Sequence, residues 1–209
     1  MKAFGPQHWW PAETPLEVVV GAVLTQNTAW HNVEQAIANL RAADLLNWEA
    51  LRQVHAEELA EVIRPAGYYR LKAARIKNLV RHVYDHHDGS FENWLALDLD
   101  TLRESLLSVN GIGPETADAI LLYAAQQPTF VVDAYTSRVF KRHGWIEFDA
   151  DYWGMKDWME SHLPRDVDLF NEYHALLVRV GKSYCQKRPK CDGCPLQPLL
   201  PPGGPLEPE

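Results

Sequence analysis

The chain has 209 residues, 46% apolar and 23% charged, with 20 Lys and Arg against 28 Asp and Glu and a formal charge of −8. That length can bury a sizeable core, as one domain or two small lobes, and no apolar run approaches the roughly 20 residues that span a bilayer. The acidic balance counts against a DNA partner held by general electrostatics alone. Three cysteines confined between Cys185 and Cys194 argue against a secreted disulfide framework.

The opening MKAFGPQHWWPAETP lacks the apolar core of a secretory signal, so a cytoplasmic protein is expected. In His8-Trp9-Trp10-Pro11 the adjacent tryptophans cannot share one helix face, so one is expected to pack while the other stays available. Residues 15–41 read as two helices, from the spacing of Leu16, Val19, Val20, Val23 and Leu24, then of Val33, Ile37 and Leu40. Between them Thr25-Gln26-Asn27-Thr28 is a loop and helix-start signal. Further helices are predicted over 49–54, 56–64, 70–87 and 98–107, with Pro65-Ala66-Gly67 breaking the chain. Arg70, Lys72, Arg75, Lys77 and Arg81 form one basic run, and Lys182, Lys187, Arg188 and Lys190 another. Together they read as a basic face on an acidic body. His82, His86 and His87 read as solvated surface in preference to a metal site.

The densest signal lies between Leu106 and Arg142. Two helix-period segments flank the turn Gly111-Ile112-Gly113-Pro114. The glycines permit a sharp reversal, Pro114 suits the first turn of the next helix, and free amides at such a start make an anion site. Asp133 follows twenty residues beyond Gly113, after the β-prone Phe130-Val131-Val132, a run too short to found a sheet. On its own Asp133 reads as the N-cap of a helix over 134–143. Helices around 151–162 and 168–183 follow, then Cys185, Cys191 and Cys194 in C-x5-C-x2-C spacing. Pro201-Pro202-Gly203-Gly204-Pro205 reads as a flexible tail.

These motifs resemble the endonuclease III (HhH-GPD) superfamily of base-excision DNA glycosylases, over roughly residues 9–196. VNGIGPETA followed by QQPTFVVDAYTSRVFKR matches its helix-hairpin-helix and the Asp beyond it. LTQNT and GYYRLKAARI match two further segments, and WWP with LEVVVGAVLTQNTAW is most similar to the 3-methyladenine glycosylase branch. The resemblance implies an all-α fold of two helical lobes. One is a six-helix barrel over 15–127 that carries the hairpin; the other joins 1–14 to 128–209, with the DNA cleft between them. It implies that Gly111, Ile112, Gly113 and Thr116 meet DNA, with a monovalent cation at the hairpin. By the same likeness Gln26 fills the gap left by an extruded base, although as a bare residue it could equally cap the next helix.

The implied activity is monofunctional excision of a damaged base, an alkylated purine such as 3-methyladenine, with Asp133 as the catalytic carboxylate. A carboxylate can stabilise an electron-deficient sugar and orient water. Trp9, Trp10, Trp30 and Tyr135 are the candidate base pocket, since stacking supplies about 1–3 kcal/mol per base and a cationic purine adds a cation–π term. Glu115 occupies the position of the lysine that performs strand cleavage in bifunctional relatives, and a carboxylate forms no imine. Cys185, Cys191 and Cys194 match part of the superfamily's 4Fe–4S motif. The first spacing is one residue short, and the fourth cysteine position falls near Leu200, so a cluster would be incompletely ligated. Zinc completed by another ligand, or reduced thiols in a packed lobe, stay open. The expected partner is double-stranded DNA containing a damaged base, bound by a monomer with no membrane association. A mismatch, uracil–thymine or oxidised-pyrimidine glycosylase, and a non-catalytic lesion-binding protein, are the alternatives.

Overall fold

The computed structural model describes residues 2–207; Met1, Pro208 and Glu209 lie outside them. The protein is all-helical, with no strand among the described residues. It divides into two compact units, Ala12–Gln127 and Met1–Pro11 with Pro128–Glu209. No helix among the described residues is long and apolar enough to cross a membrane.

The unit Ala12–Gln127 is built around α1 (Pro15–Leu24), whose residues from Leu16 to Leu24 are all buried. A helix that is apolar nearly all round must be enclosed on every side. It is enclosed by α2 (Trp30–Ala42), α5 (Tyr69–His86) and α8 (Pro114–Ala119). Thr14 starts α1 by accepting the Glu17 N–H at 3.2 Å. Two short helices, α3 (Trp48–Gln53) and α4 (Ala56–Val62), pack on α5. The break at Pro65-Ala66-Gly67 is a single 3-10 turn, Arg64–Ala66.

Only part of the basic run on α5 faces solvent, which narrows the reading of it as a basic face: Arg70 and Arg81 are exposed, whereas Lys72, Arg75 and Lys77 turn to neighbouring elements. Lys72 is 1% exposed and donates to the Leu24 and Ala66 carbonyls, each at 2.8 Å. It thereby caps the C-terminus of α1, and burial lowers its pKa to about 8. Lys77 donates to the carbonyls of Leu51, Arg52 and Val54 at the end of α3, and Arg75 donates to Gln26 Oε1. Helix ends leave carbonyls without intrahelical partners, and these cations supply them. Alternating spacing along α5 could not reveal this, because a lysine stem long enough to reach solvent is also long enough to reach a neighbouring helix end.

A helix that the periodicity did not isolate, α6 (Phe91–Leu95), starts at Ser90 and buries Trp94. Trp94 Nε1 donates to Ser105 Oγ at 3.0 Å, and His82 and His87 approach the same oxygen at 2.8 and 3.1 Å. Those histidines are therefore tied to α7 (Leu99–Ser108) rather than solvated. Below the Gly turn, α8 runs into a π-helical turn, Ile120–Ala124, in which every residue is buried. Arg103 on α7 grips Asp118 on α8 through two bonds of 2.8 and 2.9 Å, which locks the two helices of the hairpin together.

The other unit contains α9 (Ala134–Arg142), α10 (Tyr152–His162) and α11 (Val167–Ser183). α9 packs on α11, where Gly181 lets Tyr135 approach: a Cβ there would meet the Tyr135 ring at 2.3 Å. The tail is not free, contrary to its composition. Leu206 N–H donates to the Arg142 carbonyl at 2.9 Å, and Glu207 pairs with the Arg142 guanidinium at 2.9 Å.

Replacing Lys72 by Met should destabilise the fold by about 1–3 kcal/mol at pH 7, because two carbonyls lose their donor. The folded pKa lies below the ordinary 10.5, so the unfolded chain binds more protons between about pH 8 and 10.5 and the contribution of Lys72 rises with pH there. Urea titrations should show the deficit of Lys72→Met widening across that window, while exposed Arg81→Met stays within about 0.5 kcal/mol of wild type.

Candidate active site

The hairpin turn of the first unit is assembled by three elements. Gly111 has φ +97°, a left-handed value open to glycine, and a Cβ there would meet Arg75 Cγ at 2.4 Å. Arg75 thus lies directly against the turn. Gln26, from the loop after α1, donates its amide to the Gly111 carbonyl at 3.1 Å and to Thr116 Oγ1 at 2.9 Å. Arg75 holds the other end of that amide. The structure therefore brings Gln26, Gly111 and Thr116 together, with Gln26 bridging loop and hairpin. Ile112 is 6% exposed and uses its N–H within the turn, on Val109 at 3.0 Å. Gly113 is exposed, with open space where a Cβ would stand, and is the N-cap of α8. Glu115 follows in the first turn of α8, exposed. Arg75 was legible only as a member of a charge run, and nothing in the spacing tied it to Gln26.

In the second unit Asp133 is the N-cap of α9, its Oδ1 accepting the Thr136 N–H at 2.7 Å. Its Oδ2 lies 3.6 Å from His174 Nε2 on α11, with the two side chains 13% and 8% exposed. Burial pushes the carboxyl up, but the His174 imidazole and the Thr136 amide outweigh it and hold Asp133 below its ordinary value of 3.8. The segment that delivers Asp133 is anchored behind it. Glu160 on α10 accepts the Phe130 N–H at 2.8 Å and pairs with Lys156, and Phe130 is fully buried edge-on to Phe170. The arrangement presents an ionised carboxylate from a rigid helix start. His174 escaped the sequence reading because a lone histidine in FNEYHALLVRV carries no pattern to mark it.

The aromatic candidates are distributed over both units. Trp9 and Trp10 are half-buried, with ring centroids 5.1 Å apart and tilted by 49°. Trp30 begins α2 in the other unit and is also half-buried. Tyr135 packs on Gly181 with the Arg138 guanidinium 5.1 Å from its ring centre.

Cys185, Cys191 and Cys194 line one cavity with Arg142, His143 and Leu200. Burial and the two neighbouring cysteines push the Cys191 thiol up. Arg142 is 5% exposed and organises the loop: it reaches Cys185 Sγ at 3.5 Å and the carbonyls of Gln186 and Lys187 at 2.5 and 3.0 Å. Leu200, not a cysteine, stands where a fourth thiolate would be needed. Among the described residues no group of three His, Cys, Asp or Glu is arranged to hold a metal ion. The residues present therefore do not complete a four-thiolate cluster, and no chemical step is assigned to one.

Arg142→Met should loosen both the cysteine loop and the tail. We expect faster tryptic cleavage at Lys187, Arg188 and Lys190 and a loss of about 1–3 kcal/mol, from severed charge-assisted bonds to partly buried acceptors. Unchanged cleavage kinetics would show that the loop is held by something else.

Residues 20–160 match the family described as HhH-GPD superfamily base excision DNA repair protein. Over 196 residues the chain is 50% identical to a Methanocaldococcus jannaschii protein provisionally named a DNA repair glycosylase, spanning 93% of this chain and 89% of that one. Plant relatives are much longer, and the chain covers 9% of one from Oryza sativa. Among solved structures, the H. pylori 3-methyladenine DNA glycosylase bound to 1,N6-ethenoadenine is similar at TM-score 0.74. Its identity is 32%, over 85% of this chain and 89% of that one. A non-covalent endonuclease III–DNA complex is similar at TM-score 0.78 and 25% identity, over 90% of this chain and 84% of that one.

Proposed function

This chain belongs to the HhH-GPD superfamily of base excision DNA repair proteins and is a DNA glycosylase, and we propose that it is monofunctional and acts on alkylated purines. The observation that carries this reading is Asp133, an enclosed carboxylate kept ionised at the start of α9. Breaking an N-glycosidic bond builds positive charge on the sugar, and a fixed anion is most effective where solvent screening is low. The same carboxylate can orient the attacking water.

The lesion class rests on two supports. Trp9 and Trp10 offer partly exposed rings in the unit that holds Asp133, suited to an electron-poor purine ring. The 32% identity to the H. pylori 3-methyladenine glycosylase favours the same substrate here. An alkylated purine is already a good leaving group, so the base needs less help from a general acid. It must still leave the stack, at a cost of a few kcal/mol that damage lowers. The hairpin of Gly111, Ile112, Gly113 and Thr116 is the proposed strand grip, with Gln26 poised beside it.

Water is the proposed nucleophile because Glu115 stands in the first turn of α8 and no residue from Pro114 to Asp118 carries an amine. The product is then an abasic site with the strand intact.

Duplexes carrying 3-methyladenine, 7-methylguanine, uracil, thymine glycol or a T·G mismatch test the proposal directly. Alkylated purines should be released, and strands should break only after alkali. Asp133→Asn should slow single-turnover excision by about 10²–10⁴-fold while binding to a duplex with an abasic-site analogue persists. Preferred release of a pyrimidine would reassign the substrate, a borohydride-trapped adduct would restore lyase chemistry, and no release from any duplex would leave a lesion-binding protein.

A further inference from the structure

We propose that His174 is the positioning residue of Asp133, holding Oδ2 as the Thr136 amide holds Oδ1. The proposal rests on the reading of Asp133 as the catalytic carboxylate. An N-cap bond fixes one carboxylate oxygen only, and here that bond is 2.7 Å long and made to Oδ1. Left there, the carboxylate could still swing about its Cα–Cβ bond. The second oxygen faces His174 Nε2 at 3.6 Å, an ion-pair separation slightly longer than a hydrogen bond.

The imidazole is itself fixed. It is 6% exposed, projects from the middle of α11, and stands edge-on to the Phe130 ring at 6.5 Å and 84°. Phe130 in turn is held by Phe170 and Tyr173 from the same helix. The ring that walls the imidazole therefore belongs to the segment that leads into Asp133 and packs on the helix that carries His174.

Burial alone would push the Asp133 carboxyl up and favour its neutral form. A neutral acid cannot stabilise positive charge on a sugar, so an enclosed site for this chemistry needs a donor or cation close to the second oxygen. Several other charged or titratable groups of the packed elements have partners or surroundings of their own. On α9, Arg138 donates to the Cys185 carbonyl at 2.5 Å. On α11, Glu172 accepts the Gln7 amide at 3.1 Å, and burial raises the Tyr173 phenol so that it stays neutral. On α10, Lys156 and Glu160 pair with each other behind Phe130. His174 is the group aimed at Asp133.

The test combines single-turnover excision against pH, affinity for a duplex with an abasic-site analogue, and carbon-13 NMR titration of the Asp133 carboxyl. His174→Ala should slow excision at pH 7 by about 10–100-fold, the usual effect of losing an outer partner. Its acid limb should move to higher pH, since the Thr136 amide is then left to oppose burial without the imidazole, while duplex affinity and melting temperature stay near wild type. His174→Gln keeps an N–H donor and should recover part of the rate and part of the limb. In His174→Ala the Asp133 carboxyl should take up its proton at higher pH than in wild type, because the imidazole that favours its charged form is gone.

A wild-type rate and acid limb in His174→Ala would overturn the proposal. So would losses of rate matched by equal losses of affinity or melting temperature, the mark of a packing role. Full excision by Asp133→Asn would instead sink the reading of Asp133, and the present inference with it. The carboxyl titration in wild type and His174→Ala then reports separately whether the pair exists.

Discussion

On the proposed reading, the chemistry of this glycosylase depends on keeping one carboxylate, Asp133, charged in a place where water is scarce. Solvation would normally stabilise such an anion, and at Asp133 that stabilisation is largely withdrawn. A helix start and an imidazole replace it, one for each oxygen. The exchange has a consequence for reactivity. A carboxylate stabilised by fixed neighbours does not have to shed a hydration shell as charge develops on the substrate, so the cost of reorganisation falls on folding instead of on catalysis. Much of the second unit serves this end. Glu160 and Lys156 anchor the segment before Asp133, Phe130 fills the space beneath it, and Gly181 allows α9 to lie close enough to α11 for His174 to reach.

The first unit solves a different problem, that of making a turn rigid without filling it with side chains. Gly113 leaves open space at the mouth of the hairpin, and rigidity comes from behind: Gln26 and Arg75 against Gly111, and Arg103 against Asp118. The charges of α5 are drawn into this work. Lys72 and Lys77 satisfy helix ends that would otherwise be left with orphaned carbonyls. A net charge of −8 is therefore less paradoxical for a DNA enzyme than it first looks. On the proposed reading, contact with the strand falls to backbone groups and a few placed side chains, and Lys72, Arg75 and Lys77 stabilise the fold.

Elements that bury one face were legible in the sequence, because burial imposes a period. The two helices before residue 42 were legible, as were the long α5 and α11 and the helix after Asp133. The Gly turn and Asp133 were legible for a different reason: glycine and proline in a fixed order restrict the backbone to few shapes. What stayed hidden was tertiary. Lys72 and Arg75 look like surface cations until the neighbouring helix ends are in place. His174 pairs with a residue 41 positions away, and no local pattern encodes such a distance. The tail beyond Pro201 has the composition of a loose end, yet Arg142 recruits it through one side chain and one carbonyl. The cysteines gave half a signal. Their spacing suggested a metal motif, whereas the guanidinium of Arg142 already supplies the bonds that hold their loop.

The most direct measurement of this account is a carbon-13 NMR titration of the Asp133 carboxyl, assigned by its disappearance in Asp133→Asn. The account predicts that the titration midpoint falls below the ordinary aspartate value of 3.8. A carboxyl that takes up its proton above that value would contradict it, since an acid that enclosure renders neutral could not serve the sugar as a counter-charge.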